Sequence, residues 1–337
     1  MKRSSSIITL GTLGLGLLLC RRRKQPLLDI RNRVVLITGG SRGLGLVLAR
    51  QLGYRGARLA LIARDEEDLR RAEDELHSMG AVAKAFSCDI RDQQQVQDTV
   101  QRVVDHYGVI DVLINNAGVI QVGPLEHTQV EDFEHAMATH TYGPLYTMLA
   151  AIPHLQRRNG GHIVNIASVG GKVAVPHLLP YITSKFALVG LSDGMRAELA
   201  QDTIKVTTVC PGLMRTDSHV NALFKGQPNK EFAWFSISDA SPLSSMSAEE
   251  AAHRIIDAVR QSKPHLTLTW QARLISAANA LFPNVTARML TLANRALPDA
   301  TDQKGNVSKV GWESWSKLAP SILTRPADYA TVINNEL

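Results

Sequence analysis

From residue 33 onward, short apolar runs alternate with longer segments of helical spacing, and this alternation constrains the fold more than any other feature. The apolar runs are bounded by turn residues and predict β-strands at 34–37, 58–62, 81–86, 112–114, 162–166 and 204–209. The segments between them predict helices at 45–54, 66–79, 93–107, 130–155 and 181–200. Such alternation indicates parallel strands joined by right-handed crossovers. We therefore predict an α/β protein with a doubly wound parallel sheet, the Rossmann fold.

Several short motifs follow the carboxyl ends of predicted strands. They are a glycine-rich turn at 38–45, the tetrapeptide at 115–118, Ser168, and the pair Pro211 and Gly212. In an open parallel sheet, ligands bind beyond the carboxyl ends of the strands. Because the motifs come from different strands but share one edge of the sheet, we expect them to form a single site.

The turn after the first strand contains Gly39, Gly43 and Gly45 and opens the first helix. Glycines allow the backbone to approach a pyrophosphate, and the N–H groups at the helix start point towards it. A turn with no ligand is the alternative, but the strand before it and the helix after it favour a nucleotide. We predict that a dinucleotide is bound here by Gly39, Ser41, Arg42, Gly43, Leu44 and Gly45.

The end of the second strand distinguishes NAD from NADP. A carboxylate at that point would bind the ribose 2′-hydroxyl of NAD, whereas arginine suits the additional phosphate of NADP. Ala63 occupies the corresponding position and Arg64 follows it, while Arg42 can reach the same phosphate. Asp65, two residues further on, serves either NAD or the cap of the next helix. We predict NADP as the cofactor in preference to NAD.

Tyr181 and Lys185 are four residues apart, and Ser168 lies thirteen residues before the tyrosine. On a helix, a spacing of four puts both side chains on one face. Hydride transfer to a carbonyl leaves negative charge on oxygen, which requires a proton donor. A tyrosine with its usual pKa of roughly 10 needs a nearby ammonium to lower that pKa. We predict that Tyr181 transfers the proton, Lys185 lowers its pKa, and Ser168 donates a hydrogen bond to the substrate oxygen.

In this order and combination, the motifs resemble those of the short-chain dehydrogenase/reductase superfamily, in its compact one-domain branch, over residues 33–265. The resemblance implies that Asp89 and Ile90 contact the adenine. It implies that the tetrapeptide at 115–118 shapes the cofactor groove, that Lys185 binds the ribose, and that the stretch 211–216 lies near the nicotinamide amide. The further cofactor-binding residues implied in this way are Asn116, Ala117, Gly118, Tyr181, Pro211, Gly212 and Thr216.

One position departs from the pattern of that superfamily. An asparagine usually stands in the helix after the fourth strand and supports a water-mediated proton path to the lysine, whereas His140 stands at that place here. A histidine either preserves that path, adds a group that titrates near neutral pH, or weakens turnover. We therefore include His140 among the candidate catalytic residues and keep a purely structural role as the alternative.

The two ends of the chain predict regions outside the catalytic domain. We divide the sequence into an N-terminal apolar segment with a basic flank at 1–30, a catalytic domain at 31–265 and an apolar helical extension with a tail at 266–337. Residues 7–20 carry no charge and would form a helix of roughly 21 Å, which is shorter than a bilayer core of about 30 Å. A cleaved signal peptide and a lipid-modified Cys20 are alternatives. We favour an uncleaved anchor or interfacial helix whose basic flank at 21–24 keeps the following domain in the cytoplasm.

Three segments in the second half of the chain suggest further structural roles. Residues 266–297 are apolar and are punctuated by Arg273, Arg288 and Arg295, so they either pack on the domain or a second subunit, or dock onto a bilayer. Residues 213–247 read as a long polar loop, which we interpret as a substrate lid in preference to a disordered segment. Residues 300–337 carry little pattern and read as a tail.

Composition limits the class of protein. The chain has 337 residues, 45% of them apolar, and a formal net charge of +6, with its densest basic cluster directly after the apolar run. No zinc-ligand spacing, basic helix with heptads or aromatic RNA-binding motif is present in the sequence, so we predict neither a metal nor a nucleic-acid partner. The chain has only three cysteines, which fits a reducing compartment.

The sequence as a whole predicts an NADP-dependent oxidoreductase that interconverts an alcohol and a ketone or aldehyde. Apolar residues flank the motifs and would form a pocket for a lipophilic substrate; they are Val119, Ile120, Leu178, Leu179, Leu213 and Met214. The alternatives are an NADP-binding sensor or scaffold without turnover and, less favoured, an epimerase or dehydratase. A homo-oligomer is compatible with the sequence, which does not fix a subunit number.

Overall fold

The computed structural model describes residues 27–216, 218–240, 245–315, 319 and 334–336. These residues contain twelve strands, numbered in chain order: β1 Val34–Thr38, β2 Arg58–Ala63, β3 Val82–Ser87, β4 Val112–Asn115, β5 Gln121–Val122, β6 Gly161–Ile166, β7 Ile204–Cys210, β8 Leu213–Arg215, β9 Leu223–Phe224, β10 Ser245–Ser247, β11 His265–Thr267 and β12 Lys309–Val310. Seven of them form one sheet in the order β11-β7-β6-β4-β1-β2-β3. Each neighbouring pair in this sheet is parallel.

Ten α-helices occur in the same described residues: α1 Gly43–Tyr54, α2 Glu66–Ser78, α3 Gln93–Tyr107, α4 Val130–Met137, α5 Gly143–Arg157, α6 Leu179–Glu198, α7 Pro228–Ala240, α8 Ala248–Arg260, α9 Trp270–Leu281 and α10 Pro283–Asn294. Local sequence explains several of their starts. The side chains of Asp65, Asp92 and Ser247 accept hydrogen bonds from backbone N–H groups in the first turns of α2, α3 and α8.

The core lies on both faces of the seven-stranded sheet. All five residues of β1 are buried, as expected for a central strand covered on both sides. One apolar cluster contains buried residues of α1, α2 and α8, and another contains buried residues of α3 and α5 with partly buried residues of α6. The predicted doubly wound α/β fold is therefore confirmed, and the six predicted strands agree with the observed ones to within one residue at each end.

The helix predicted at 130–155 is interrupted. Here α4 ends at Met137, a π-helical turn covers Ala138–Tyr142, and α5 begins at Gly143. Pro144 at the start of α5 has no N–H to continue the preceding hydrogen-bond ladder, so the chain changes its helical pitch before it. The π-helical turn contains His140.

The prediction of a long polar loop at 213–247 is wrong, because this segment contains α7 and the short strands β8, β9 and β10. Phe232 and Phe235 of α7 pack against Phe224 of β9, in a cluster that also contains Leu178 and Ile182. The buried residues of α7 are spread around a wide part of the helix and include polar ones: Glu231, Phe232, Ala233, Phe235, Ser236 and Asp239. The usual apolar periodicity of a surface helix is therefore weak here.

The regions at the two ends are only partly described. The apolar run at 7–20 lies outside the described residues. Within the part of the chain that is described, no helix has the length and apolar character needed to cross a membrane. Residues 300–337 were read as a tail, but two parts of this stretch pack on the domain: β12 pairs with β9, and residues 334–336 contact the glycine turn. The proposed division into three regions stays a prediction.

Candidate active site

The glycine turn connects β1 to α1 in a conformation that side chains would oppose. Gly39 and Gly43 have φ angles of 63° and 54°, in the left-handed region. A Cβ on Gly45 would collide with the carbonyl oxygen of Gly39, so the first turn of α1 lies directly against the end of β1. Asn116 fixes the turn from the neighbouring strand end, because its Nδ2 donates to the carbonyl oxygens of Thr38 at 3.2 Å and Gly39 at 3.1 Å.

A cleft of about 660 Å³ runs along the carboxyl edge of the sheet above this turn. All but one of the predicted site residues line it: Gly39, Ser41, Arg42, Gly43, Leu44, Arg64, Asp89, Ile90, Asn116, Ala117, Gly118, His140, Ser168, Tyr181, Lys185, Pro211, Gly212 and Thr216. The exception is Gly45, which lies beneath the turn and allows its close packing. The left-handed glycines and the backbone N–H groups at the start of α1 fit a dinucleotide phosphate.

Ser168, Tyr181 and Lys185 lie together at one end of the cleft. Ser168 follows β6, and its hydroxyl, which accepts the Gly170 N–H at 3.0 Å, lies near enough to the Tyr181 phenol to lower the pKa of Tyr181. Tyr181 and Lys185 share one face of α6, with the Lys185 Nζ 5.6 Å from the centre of the tyrosine ring. The Nζ is buried and donates to the carbonyl oxygen of Ile166 at 3.0 Å. The three side chains predicted for proton transfer are therefore neighbours.

Burial shifts the pKa values of both members of this pair. Burial lowers the pKa of Lys185 from its usual value to about 7. Burial also raises the pKa of Tyr181, which the hydrogen bond from Ser168 offsets in part and the carboxylate of Asp239 reinforces. In this arrangement Tyr181 is a protonated phenol at neutral pH.

His140 is fully enclosed between the strand β4 and the helix α6. Its Nε2 accepts a hydrogen bond from the Val119 N–H at 3.1 Å, so the ring proton sits on Nδ1. Nδ1 lies 2.7 Å from the Ser184 hydroxyl oxygen, and that hydroxyl donates to the carbonyl oxygen of Tyr181 at 2.7 Å. The imidazole edge also meets the Tyr181 ring, with the ring centres 5.4 Å apart.

These contacts make His140 a neutral bridge rather than a titrating group. Burial lowers the pKa of His140 well below its usual value, and the positive charge of Lys185 lowers it further. Both ring nitrogens already have partners in the protein. We interpret His140 as a positioning residue that connects the loop after β4 to the backbone of Tyr181.

The part of the cleft away from Tyr181 contains residues that the sequence analysis assigned and others that it missed. The carboxylate of Asp89 is held by the guanidinium of Arg91, which also lines the cleft. Asp65 caps α2 by accepting the Asp68 N–H at 2.9 Å, which favours the capping role over a role in binding NAD. Asn221 and Glu336 also line the cleft. They come from distant parts of the sequence, and no local motif indicated them.

Comparison with known proteins agrees with this architecture. A family model described as short chain dehydrogenase matches residues 33–224. A dehydrogenase/reductase SDR family protein 7-like from Anopheles gambiae is 31% identical over 77% of this chain and 82% of its own length. A fatty acyl-CoA reductase from Acinetobacter baylyi is 28% identical over 87% of this chain and 95% of its own. The crystal structure of a metagenomic short-chain oxidoreductase in complex with NADP has a TM-score of 0.53 and 35% identity, covering 55% of this chain and 84% of that one.

The chain belongs to the short-chain dehydrogenase/reductase superfamily. It is thus an NAD(P)-dependent oxidoreductase of this superfamily, acting between C–OH and C=O groups.

Replacement of His140 by alanine is expected to lower kcat by about tenfold to a hundredfold, because Tyr181 loses a hydrogen-bonded support and its precise position. The KM for NADPH should change little. Since Ser184 transmits the same support, Ser184→Ala should give a similar loss, and the double variant should lose no more than either single one. Steady-state kinetics of all three variants measure this, with His154→Ala on α5 as the control.

The dependence of kcat on pH provides a second readout. If His140 is a neutral bridge, the pH profiles of the wild type and His140→Ala will have the same shape and differ only in height. A group that titrates near neutral pH in the wild type and disappears in His140→Ala would instead mean that His140 transfers a proton.

Proposed function

We propose that the protein is an NADP-dependent oxidoreductase that interconverts a ketone or aldehyde and the corresponding alcohol. The observation that carries this proposal is the placement of Ser168 and Tyr181 together beside the buried Lys185, in a cleft floored by the glycine turn. The superfamily supplies the class of reaction.

The proposed roles follow from the charge that develops during the reaction. Bound NADPH would supply the hydride, which would leave negative charge on the reduced carbonyl oxygen. Ser168 donates a hydrogen bond to that oxygen, and Tyr181 transfers its phenolic proton to it. The raised pKa of Tyr181 keeps the phenol protonated at neutral pH, which suits reduction. In the opposite direction the tyrosine must first lose its proton, so oxidation should become faster as the pH rises.

Replacement of Tyr181 by phenylalanine is expected to reduce kcat by roughly a hundredfold to ten-thousandfold, because the general acid is lost. NADPH binding should stay within a few-fold of the wild type, since the phenyl ring keeps its place in the wall of the cleft. The measurement combines NADPH titration by fluorescence with turnover on a panel of carbonyl substrates. Binding of NADPH without turnover by the wild type on any carbonyl would favour the sensor alternative.

The preference for NADP rests on three side chains at the ribose end of the cleft. Arg42 and Arg64 both line the cleft, whereas Ala63 leaves no carboxylate at the end of β2. Asp65, the nearest acid after it, is engaged in capping α2. The structural relative that binds NADP supports the same choice.

Replacement of Arg42 by alanine is expected to raise the KM for NADPH by about tenfold to a hundredfold, because charged hydrogen bonds to the 2′-phosphate are lost. The KM for NADH should change by less than a factor of about three, since NADH lacks that phosphate. Arg70→Ala, on the exposed side of α2, is the matched control. An equal effect of Arg42→Ala on both cofactors would contradict recognition of the 2′-phosphate.

The proposal also includes a lipophilic substrate. Val119, Ile120, Met214 and Leu223 give the cleft apolar walls near Tyr181. Leu178 packs behind them with Phe224 and Phe232. The relative from Acinetobacter baylyi is described as a fatty acyl-CoA reductase, which is in keeping with long apolar substrates. Turnover confined to small, water-soluble ketones would count against this part.

Membrane association through residues 266–297 also belongs to the proposal. The hairpin formed by α9 and α10 leaves most of its large apolar side chains exposed: Trp270, Leu274, Ile275, Leu281, Phe282, Val285, Met289 and Leu292. Packing on the domain does not cover them. Between residues 268 and 298 the sequence contains three arginines and no carboxylate. Two copies facing each other through this surface would bring arginines together without acidic partners, whereas an anionic bilayer complements both features.

The hairpin also adjoins the substrate end of the cleft. Thr269 and Ala272, at the start of α9, pack against Gly212 in the cleft wall. Asn279 donates to the carbonyl oxygen of Lys172, in the loop that follows Ser168. A bilayer in contact with α9 and α10 would therefore lie next to the entrance for an apolar substrate.

The double variant Leu281→Asp, Phe282→Asp is expected to bind vesicles of phosphatidylglycerol and phosphatidylcholine at least about tenfold more weakly than the parent, because two apolar side chains no longer enter the interface. Vesicle co-sedimentation measures this in the full chain and in a chain that starts at residue 27, which isolates the hairpin. Tyr54→Asp, an exposed position on α1, is the control. Self-association without lipid that the double variant abolishes would identify the surface as an interface between copies.

A further inference from the structure

Residues 334–336 lie in the part of the cofactor cleft where a dinucleotide phosphate is expected. The Gly43 N–H donates to the carbonyl oxygen of Asn334 at 2.9 Å, and Arg50 donates to the Asn334 side chain at 3.0 Å. Asn335 has a left-handed φ of 58° and donates from its side chain to the carbonyl oxygen of Ser41 at 2.9 Å. The segment is thus attached to the glycine turn itself.

The carboxylate of Glu336 is the centre of these contacts. It is buried, with its Oε2 accepting from Asn221 Nδ2 at 2.7 Å and lying 3.6 Å from Arg42 Nε. Asn221 also donates to the backbone oxygen of Glu336 at 2.9 Å. A Cβ on Gly43 would be only 2.5 Å from Glu336 Oε1, so the glutamate fills the space that the glycine leaves open.

The same groups would serve a phosphate. The start of a helix attracts anions because its first N–H groups have no partner within the helix, and Arg42 adds a positive charge. The Gly43 N–H cannot donate fully to Asn334 and to a phosphate at once. A carboxylate and a phosphate also cannot share the space above Gly43.

We propose that residues 334–336 are a built-in competitor of the cofactor, which must leave the glycine turn before a dinucleotide can bind. The proposal rests on the proposed function, in that it takes NADP to be the ligand of this cleft. NADPH can bind only to molecules in which the segment is not docked. The apparent affinity for NADPH therefore falls as the docked fraction rises. Arg42 and Asn221 alternate between the carboxylate of the segment and the phosphates of the cofactor.

The contacts of the docked segment allow a dinucleotide to displace it. Burial raises the pKa of Glu336 to about 7, against the opposing effect of Arg42, so an ionised carboxylate is held there at a cost. A dinucleotide brings more negative charge to the same place and makes further contacts along the cleft towards Tyr181. It therefore gains more from the cleft than the short segment does.

Deletion of residues 334–337 from the otherwise full chain is expected to lower the Kd for NADPH about threefold to tenfold, because the competing state is removed. The Kd for 2′,5′-ADP should fall by a similar factor, since this fragment probes the same end of the cleft without the nicotinamide. Isothermal titration calorimetry measures both values. Glu336→Ala and Asn335→Ala should shift them in the same direction by smaller factors, and Glu313→Ala, at an exposed position, should leave them unchanged.

The outcomes separate this proposal from the assignment of the cofactor. Equal Kd values for the parent and the deletion variant would overturn the competitor while leaving NADP as the cofactor. Weaker binding after deletion would also overturn it, because the segment would then be part of the binding site. Failure of the parent and of every variant to bind NADPH or 2′,5′-ADP would overturn both.

Discussion

The contact between the first turn of α1 and the end of β1 is the constraint on which the rest of the site depends. Gly45 has room only for a hydrogen where it meets the carbonyl oxygen of Gly39, and Gly39 and Gly43 adopt left-handed backbone angles. The start of α1, whose first N–H groups have no partner within the helix, is therefore aimed across the carboxyl edge of the sheet. Asn116 ties this turn to the end of β4, so the floor of the cleft is one rigid unit.

A buried polar network beneath the cleft positions the opposite wall. Asn115 of β4 donates to the side chain of Asn165 of β6 at 2.9 Å, and Asn165 donates to Ser192 of α6 at 3.0 Å. Thr147 of α5 donates to Asn115 at 2.6 Å, and Ser192 pairs with Thr208 of β7 at 2.8 Å. A buried network of this kind holds its members in one arrangement, since each unpaired group would cost about 1–3 kcal/mol. The network thus fixes α6, and with it Tyr181 and Lys185, relative to the sheet.

The sequence predicted those features that depend on residues close together in the chain or on strand order. The strands, most helices and the cleft motifs follow from local patterns and from the rule that parallel strands end at one edge. Helix α7 was missed because its buried residues are spread widely around the helix and half of them are polar, and β11 was missed because it has only three residues. The interruption before Pro144 and the neutral state of His140 depend on packing. Asn221 and Glu336 reach the cleft through contacts between residues far apart in sequence, which no local pattern encodes.

The two ends of the cleft have different surroundings. The surface proposed to affect substrate binding and the segment proposed to affect cofactor binding therefore lie apart. At the substrate end, the wall formed by Gly212 continues into the exposed apolar face of α9 and α10. At the cofactor end, the wall formed by Arg42 and Asn221 carries residues 334–336. An apolar substrate entering beside the hairpin would not have to pass the competing segment. On these two proposals, the segment would set the affinity for the cofactor without blocking the entry of an apolar substrate, so the two binding steps could be tuned independently.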